Sequence, residues 1–127
     1  MEMKFTEHAR TRQAQRHISD WLIEMILSYG RQDRRNTDRW ILNGSEIKEI
    51  YAGKVIEQAG QKAKGLRLKK GECANNLLAK LIGLFSDDRK ICTCLRDVKR
   101  IEEKETFVVV EGVNGCVITA YKKFRNR

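Results

Sequence analysis

Proline is absent from all 127 residues. That removes one class of helix and strand breaker and leaves glycine and asparagine to punctuate the elements. No run of 18 apolar residues occurs, so a membrane span is not expected, and the opening MEMKFTEHAR lacks the apolar core of a secretory signal. A cytoplasmic protein is the expectation. Histidine is scarce, at two residues. The chain carries no H-E-x-x-H, no G-x-x-x-x-G-K-[ST] and no G-x-G-x-x-G after a strand, so the common zinc-protease, triphosphate and dinucleotide sites are not written in it. Its acidic residues are scattered rather than paired, which argues against a two-metal nuclease. Four cysteines, Cys73, Cys92, Cys94 and Cys116, lack the pair-plus-pair spacing of a zinc site. With no export signal they are expected to be reduced thiols, and neither a metal nor a cofactor is expected.

Positive charge is what the chain has in surplus. There are 26 Lys plus Arg against 17 Asp plus Glu, a net charge of +9 and a pI near 9.6. Such an excess repels itself in the compact state and suits a polyanion, most often nucleic acid, or an acidic protein. Hydrophobic residues at 41% and charged residues at 34% are globular proportions. At this length a single domain is expected. No internal repeat or low-complexity tract is present.

Thr6 is placed to cap a first helix reaching about Gln15 or Arg16, with Glu7 in its first turn. Phe5, Ala9 and Ala14 are its only apolar residues. Ser19 begins a second helix whose Ile18, Leu22, Met25, Ile26 and Tyr29 form a core-facing stripe widened by Trp21, and Gly30 closes it in the left-handed conformation. Trp40 to Leu42 reads as a short strand, Asn43-Gly44 as a turn, and Ser45 as the cap of a third helix ending at Gly60. The stretch Gln61 to Gly71 holds five Lys or Arg, two glycines and no acid. It reads as a mobile loop, or as a phosphate-contacting arm through residues such as Lys69 and Lys70. Leu77, Leu78, Leu81, Ile82 and Phe85 mark a fourth helix. Asp87-Asp88 starts a fifth through Ile91, Leu95, Val98 and Ile101, with a strand over 91–95 as the competing reading. Thr106 to Val110 and Cys116 to Tyr121 are strands joined by a turn at Asn114-Gly115. The first is apolar on both faces and so central in its sheet. In the second, Val117, Thr119, Tyr121 and Lys123 are expected to share a face.

Two clusters carry chemistry. His8, Arg12 and Arg16 recur at i, i+4 and i+8 and lie on one helical stripe, while Thr119, Tyr121 and Lys123 form a strand row. If the first helix packs on the terminal hairpin, a side-chain type that titrates near neutrality, cations and hydroxyl donors converge. Those are the parts of metal-free RNA cleavage: a base for the 2′-OH, cations for the phosphate and an acid for the leaving oxygen. The plain alternatives are a surface histidine at His8, ion pairs of Arg12 and Arg16 with Glu7, Asp20 or Glu24, and an ordinary strand aromatic at Tyr121. At His17 a capping or packing role is the commoner explanation.

The opening F-T-E-H-A-R-T-R-Q-A-Q-R-H-I, the amphipathic helix ending at Gly30 and the closing F-V-V-V-E-G-V-N-G-C-V-I-T-A-Y-K-K resemble a small bacterial and phage family of unknown function. Its pattern is an N-terminal His-Ala, an Arg eight residues after the His, a helix ending in Gly and a final V-I-T-x-Y strand. The family is itself similar to RelE-like and barnase-like metal-independent ribonucleases, toxins of toxin-antitoxin and contact-dependent systems among them. The resemblance covers about the first 30 and last 20 residues. It implies an α+β fold, with N-terminal helices packed on a small antiparallel sheet closed by a C-terminal hairpin and nucleic acid bound across the sheet. Between the two matched ends the chain departs from the pattern by a basic and helical insertion at about 60–100, a candidate specificity element, oligomer contact or cover.

Position by position, the resemblance singles out His8, Arg12, Arg16, Thr119 and Tyr121. It implies His8 as general acid or base, Arg12 and Arg16 on the scissile phosphate, and Tyr121 with Thr119 orienting it. Lys123, Lys69 and Lys70 are further substrate contacts. The expected function is an RNA-binding endoribonuclease of toxin type, its partners RNA and an acidic antitoxin or immunity-like protein. The alternatives are a non-catalytic module binding nucleic acid or an acidic protein with the same basic surface, and a protein-interaction domain.

Overall fold

In chain order the elements are β1 (Lys4–Phe5), α1 (Glu7–Arg16), α2 (Asp20–Tyr29), β2 (Arg31–Gln32), β3 (Arg39–Asn43), α3 (Gly44–Ala59), a 3-10 turn (Gly60–Ala63), α4 (Ala74–Leu84), α5 (Arg89–Arg100), β4 (Glu105–Glu111) and β5 (Cys116–Phe124). They come from a computed structural model, which describes residues 4–16, 18–112 and 115–124. The chain is α+β, as its patterning predicts. It divides into two compact units: a sheet unit up to Asn43 and from Lys104 onward, and a helical unit, Gly44–Glu103. The helical segment between β3 and β4 thus begins with α3.

In the sheet unit the strand order is β1-β5-β4-β3-β2. Every pairing is antiparallel except the short parallel one of β1 with β5. The central position of β4 agrees with its composition: Phe107, Val108 and Val109, which point to alternate faces, are all buried. On one face Leu42, Phe107, Val109 and Ala120 are sealed, and α2 supplies the matching apolar stripe of Leu22, Ile23, Met25 and Ile26. That stripe turns further toward Ile23 than expected, and Tyr29 is left 47% exposed.

Three local expectations are corrected. Gly30 closes α2 in extended backbone, with φ −70° and ψ 164°, not in the left-handed region. Glycine is required there because a Cβ would collide with the Ile26 carbonyl oxygen and sit 3.0 Å from that of Ile41. Asn43-Gly44 makes no turn: Asn43 is the last residue of β3, opposite Thr106, and α3 starts directly at Gly44. In β5 the pairing shifts, Thr119 standing opposite Val110 but Val117 opposite Glu111, so Ile118 is an extra, bulged residue. The bulge breaks the two-residue alternation. Val117 therefore joins Ala120 on the sealed face, at 0% and 3% exposure, instead of sharing a face with Thr119 and Tyr121.

The hairpin between β4 and β5 closes with Gly112 donating its N–H to the Cys116 carbonyl at 2.7 Å, and Gly115 donating to that of Gly112 at 3.3 Å. Gly115 has φ +72°, which suits glycine. Asn114, the expected partner in this turn, lies outside the described residues.

The helical unit forms where the apolar periodicity placed it. Leu77, Leu78 and Leu81 of α4 and Leu95 and Val98 of α5 are buried. Asp88 caps α5, its carboxylate accepting the Ile91 N–H at 3.2 Å, which decides the helix over the competing strand. All four cysteines are free; buried Cys92 donates to the Phe85 carbonyl at 2.8 Å. Among the described residues no helix is long and apolar enough to cross a membrane.

Candidate nucleic-acid interface

Thr6 sets the position of α1. Its hydroxyl oxygen accepts the Ala9 N–H at 3.0 Å, capping the first turn, while the hydroxyl donates to the Ile118 carbonyl at 3.4 Å and its backbone N–H donates to Val117 at 3.0 Å. One residue therefore both starts α1 and ties that start to β5, and α1 packs against β5. Among the described side chains of α1 Ala9 is the buried one, whereas Ala14 is exposed.

On its outer flank α1 is fixed to the start of α2. The Arg10 guanidinium lies 3.9 Å from the centre of the Phe5 ring and 3.1 Å from Asp20. Gln13 also donates to Asp20, and this hydrogen bond, with Arg10 adding to it, holds the Asp20 carboxyl below its ordinary range. Asp20 is thus engaged by Arg10 and Gln13. Ser19 occupies the cap position of α2 without a side-chain cap bond. A hollow of about 520 Å³ is lined here by Arg10, Gln13, Ala14, Ile18 and Ser19, but its principal donors are already committed to Asp20.

His8 sits in the first turn of α1, exposed. Arg12 and Arg16 follow along the same helix; their side chains fall outside the described part of the structure, as does His17 altogether. On β5 the bulge sets Thr119, Tyr121 and Lys123 on the face opposite Val117 and Ala120. Thr119 and Tyr121 are half-buried and make interactions within the protein, and Lys123 is exposed.

The sheet register extends this face across three strands. Arg39, Val110 and Thr119 form one cross-strand row, Ile41, Val108 and Tyr121 the next, and Asn43, Thr106 and Lys123 the third. Directly opposite residues share a face, and neighbouring strands stand ~4.8 Å apart. The Thr106 hydroxyl donates to the Asn43 side-chain oxygen at 3.3 Å, fixing the third row. Arg39 is the residue that sequence reasoning missed. Its Nε–H is buried without an acceptor among the described residues. Nearby Asp33 is held below the usual carboxylate range, first by the Arg35 backbone N–H at 3.0 Å and in smaller part by the Arg39 charge. A strand reading of Trp40 to Leu42 that extended one residue each way puts Arg39, Ile41 and Asn43 on one face by alternation, so the signal was present in the sequence.

Lys69 and Lys70 are exposed in the helical unit, between its 3-10 turn and α4. Among the described residues no three His, Cys, Asp or Glu side chains cluster as metal ligands. The sheet unit thus carries the exposed His8 imidazole on α1 and, on β5, the exposed Lys123 ammonium beside Thr119 and Tyr121, which are engaged within the protein. Comparison with protein-family models, curated proteins and solved structures finds no match for the chain.

Proposed function

We propose that the protein binds RNA with the surface formed by α1, β5 and the outer end of β3, and cleaves it without a metal ion. A general base takes the proton of a 2′-OH and the oxygen attacks the adjacent phosphorus. The bond to the 5′-oxygen breaks as a general acid protonates it, leaving a 2′,3′-cyclic phosphate and a 5′-OH. His8 is one of the two proton-transfer groups. Arg12, Arg16 and Lys123 balance the charge gathering on the phosphate, and Tyr121 with Thr119 orients it. Lys69 and Lys70 are further contacts along the strand. The supporting observation is the tie of α1 to β5 through Thr6, which joins the start of the helix bearing His8 to the strand bearing Thr119 and Tyr121. The net charge of +9 suits a polyanion. The cytoplasm is the matching compartment, where RNA is at hand and thiols stay reduced. An acidic antitoxin or immunity-like protein covering the same basic surface is the matching inhibitor.

Total RNA incubated with the protein in EDTA tests this. The wild type is expected to cut, and His8→Ala to cut ~10²- to 10⁴-fold more slowly. His8 is exposed, so its removal leaves stability within ~0.5 kcal/mol of wild type and the loss reports on chemistry. Arg39→Gln is expected to weaken RNA binding and flatten its salt dependence. An inert wild type, or a His8→Ala protein that cuts as fast, sinks the cleavage reading. Binding that falls steeply with salt but yields no products identifies the non-catalytic module instead.

A further inference from the structure

The helical unit buries a lysine that the candidate interface does not use. Lys48 of α3 is 2% exposed, and its ammonium donates to the side-chain oxygen of Asn75 at 2.9 Å. A buried ammonium held by a neutral amide is an incompletely compensated charge, and such groups are ordinarily paired. An ammonium has donors only, so the bond also fixes which way the Asn75 amide points: its oxygen faces Lys48 and its NH₂ is left for the other side. Asn75 also lines a groove of about 460 Å³ between α4 and α5, with Ala79 and Ile82 of α4 on one wall and Arg96, Lys99 and Arg100 of α5 on the other. The three cations recur at i, i+3 and i+4, on one face of α5. All three are exposed. Arg100 stands 4.0 Å from Asp97, at the limit of an ion pair, which leaves its charge little neutralised.

With the Asn75 side-chain oxygen taken by Lys48, the remaining side-chain polar groups of Asn75, Arg96, Lys99 and Arg100 are all donors, and three of the four residues are cationic. We propose, building on the RNA-binding reading above, that the α4–α5 groove is a separate site for the phosphodiester backbone of RNA. It binds phosphate oxygens through the Asn75 NH₂ and the Arg96, Lys99 and Arg100 side chains. Such contacts carry no base preference. They make the inserted unit a second handle on the strand.

The test is fluorescence anisotropy of a labelled single-stranded RNA across a salt series, with the wild type, Asn75→Asp and the double variant Arg96→Gln/Arg100→Gln. Asn75→Asp keeps the shape and gives Lys48 a charged partner, so folding is retained while the groove donor becomes an acceptor. Its affinity is expected to fall at least tenfold. The double variant changes two exposed side chains and keeps the fold. Its plot of log affinity against log salt is expected to flatten by ~1.4, the value for two single-strand phosphate contacts. Wild-type binding matched by both variants in affinity and slope overturns the groove site and leaves RNA binding standing. A wild type that binds no RNA at low salt overturns the RNA reading itself, and the groove site with it.

Discussion

Replacing Thr6 with valine removes one oxygen and changes nothing else in size or branching, which isolates the tie between α1 and β5. The lost oxygen accepts the Ala9 N–H at 3.0 Å, an N-cap bond whose removal typically costs ~1 kcal/mol. The hydroxyl also donates to Ile118 at 3.4 Å, a long bond at the weak end of its class, adding ~0.5 kcal/mol. The backbone bond from Thr6 to Val117 survives the change. The sum, about 1.5 kcal/mol, is expected to appear in the local opening of α1, since the first turn loses its cap and its anchor together. As 1.4 kcal/mol is a factor of ten, native-state hydrogen exchange should show α1 amides exchanging ~10-fold faster in Thr6→Val. The amides of β4, held on both sides in the sheet centre, serve as the internal standard. Thr6→Ser, which keeps the oxygen, should exchange like wild type. If Thr6→Val leaves α1 within about twofold of wild type, the cap and the anchor do not hold this helix.

Two other expectations follow from particular contacts. Gly30→Ala and Gly30→Asn should both lower stability by ~1–3 kcal/mol of overpacking, read as a fall in the urea midpoint, because any Cβ meets the Ile26 and Ile41 carbonyl oxygens; a tolerated asparagine would instead indicate a left-handed residue. Tyr51 is pushed up to about 12, first by burial and then by Cys94 and Asp97 beside it, from an ordinary value of 10.0. The folded form therefore keeps a proton that the unfolded chain releases, and the stability tied to it is full below pH 10 and lost as pH rises through about 12. A tyrosinate absorbance component with that late midpoint should be present in wild type and absent from Tyr51→Phe. An unchanged titration would put the late component elsewhere.

What the sequence by itself determined is what repeats within one element. Apolar spacing is enough to mark the buried stripes of α4 and α5 and most of that of α2, and two-faced apolarity is enough to make β4 central, because each pattern is a local consequence of 3.6 or 2 residues per repeat. The His8, Arg12, Arg16 stripe and the row of Thr119, Tyr121 and Lys123 were legible for the same reason. Tertiary structure alone decided how elements far apart in the chain register. The bulge at Ile118 reassigns Val117 to the core, and the row linking Arg39 to Thr119 joins residues eighty positions apart. The β3 carbonyl of Ile41 closes in on Gly30 from outside its own helix, and Lys48 of α3 is buried against an asparagine of α4. Hydrogen-bond register and close approach depend on which chains meet, so no periodicity within an element encodes them.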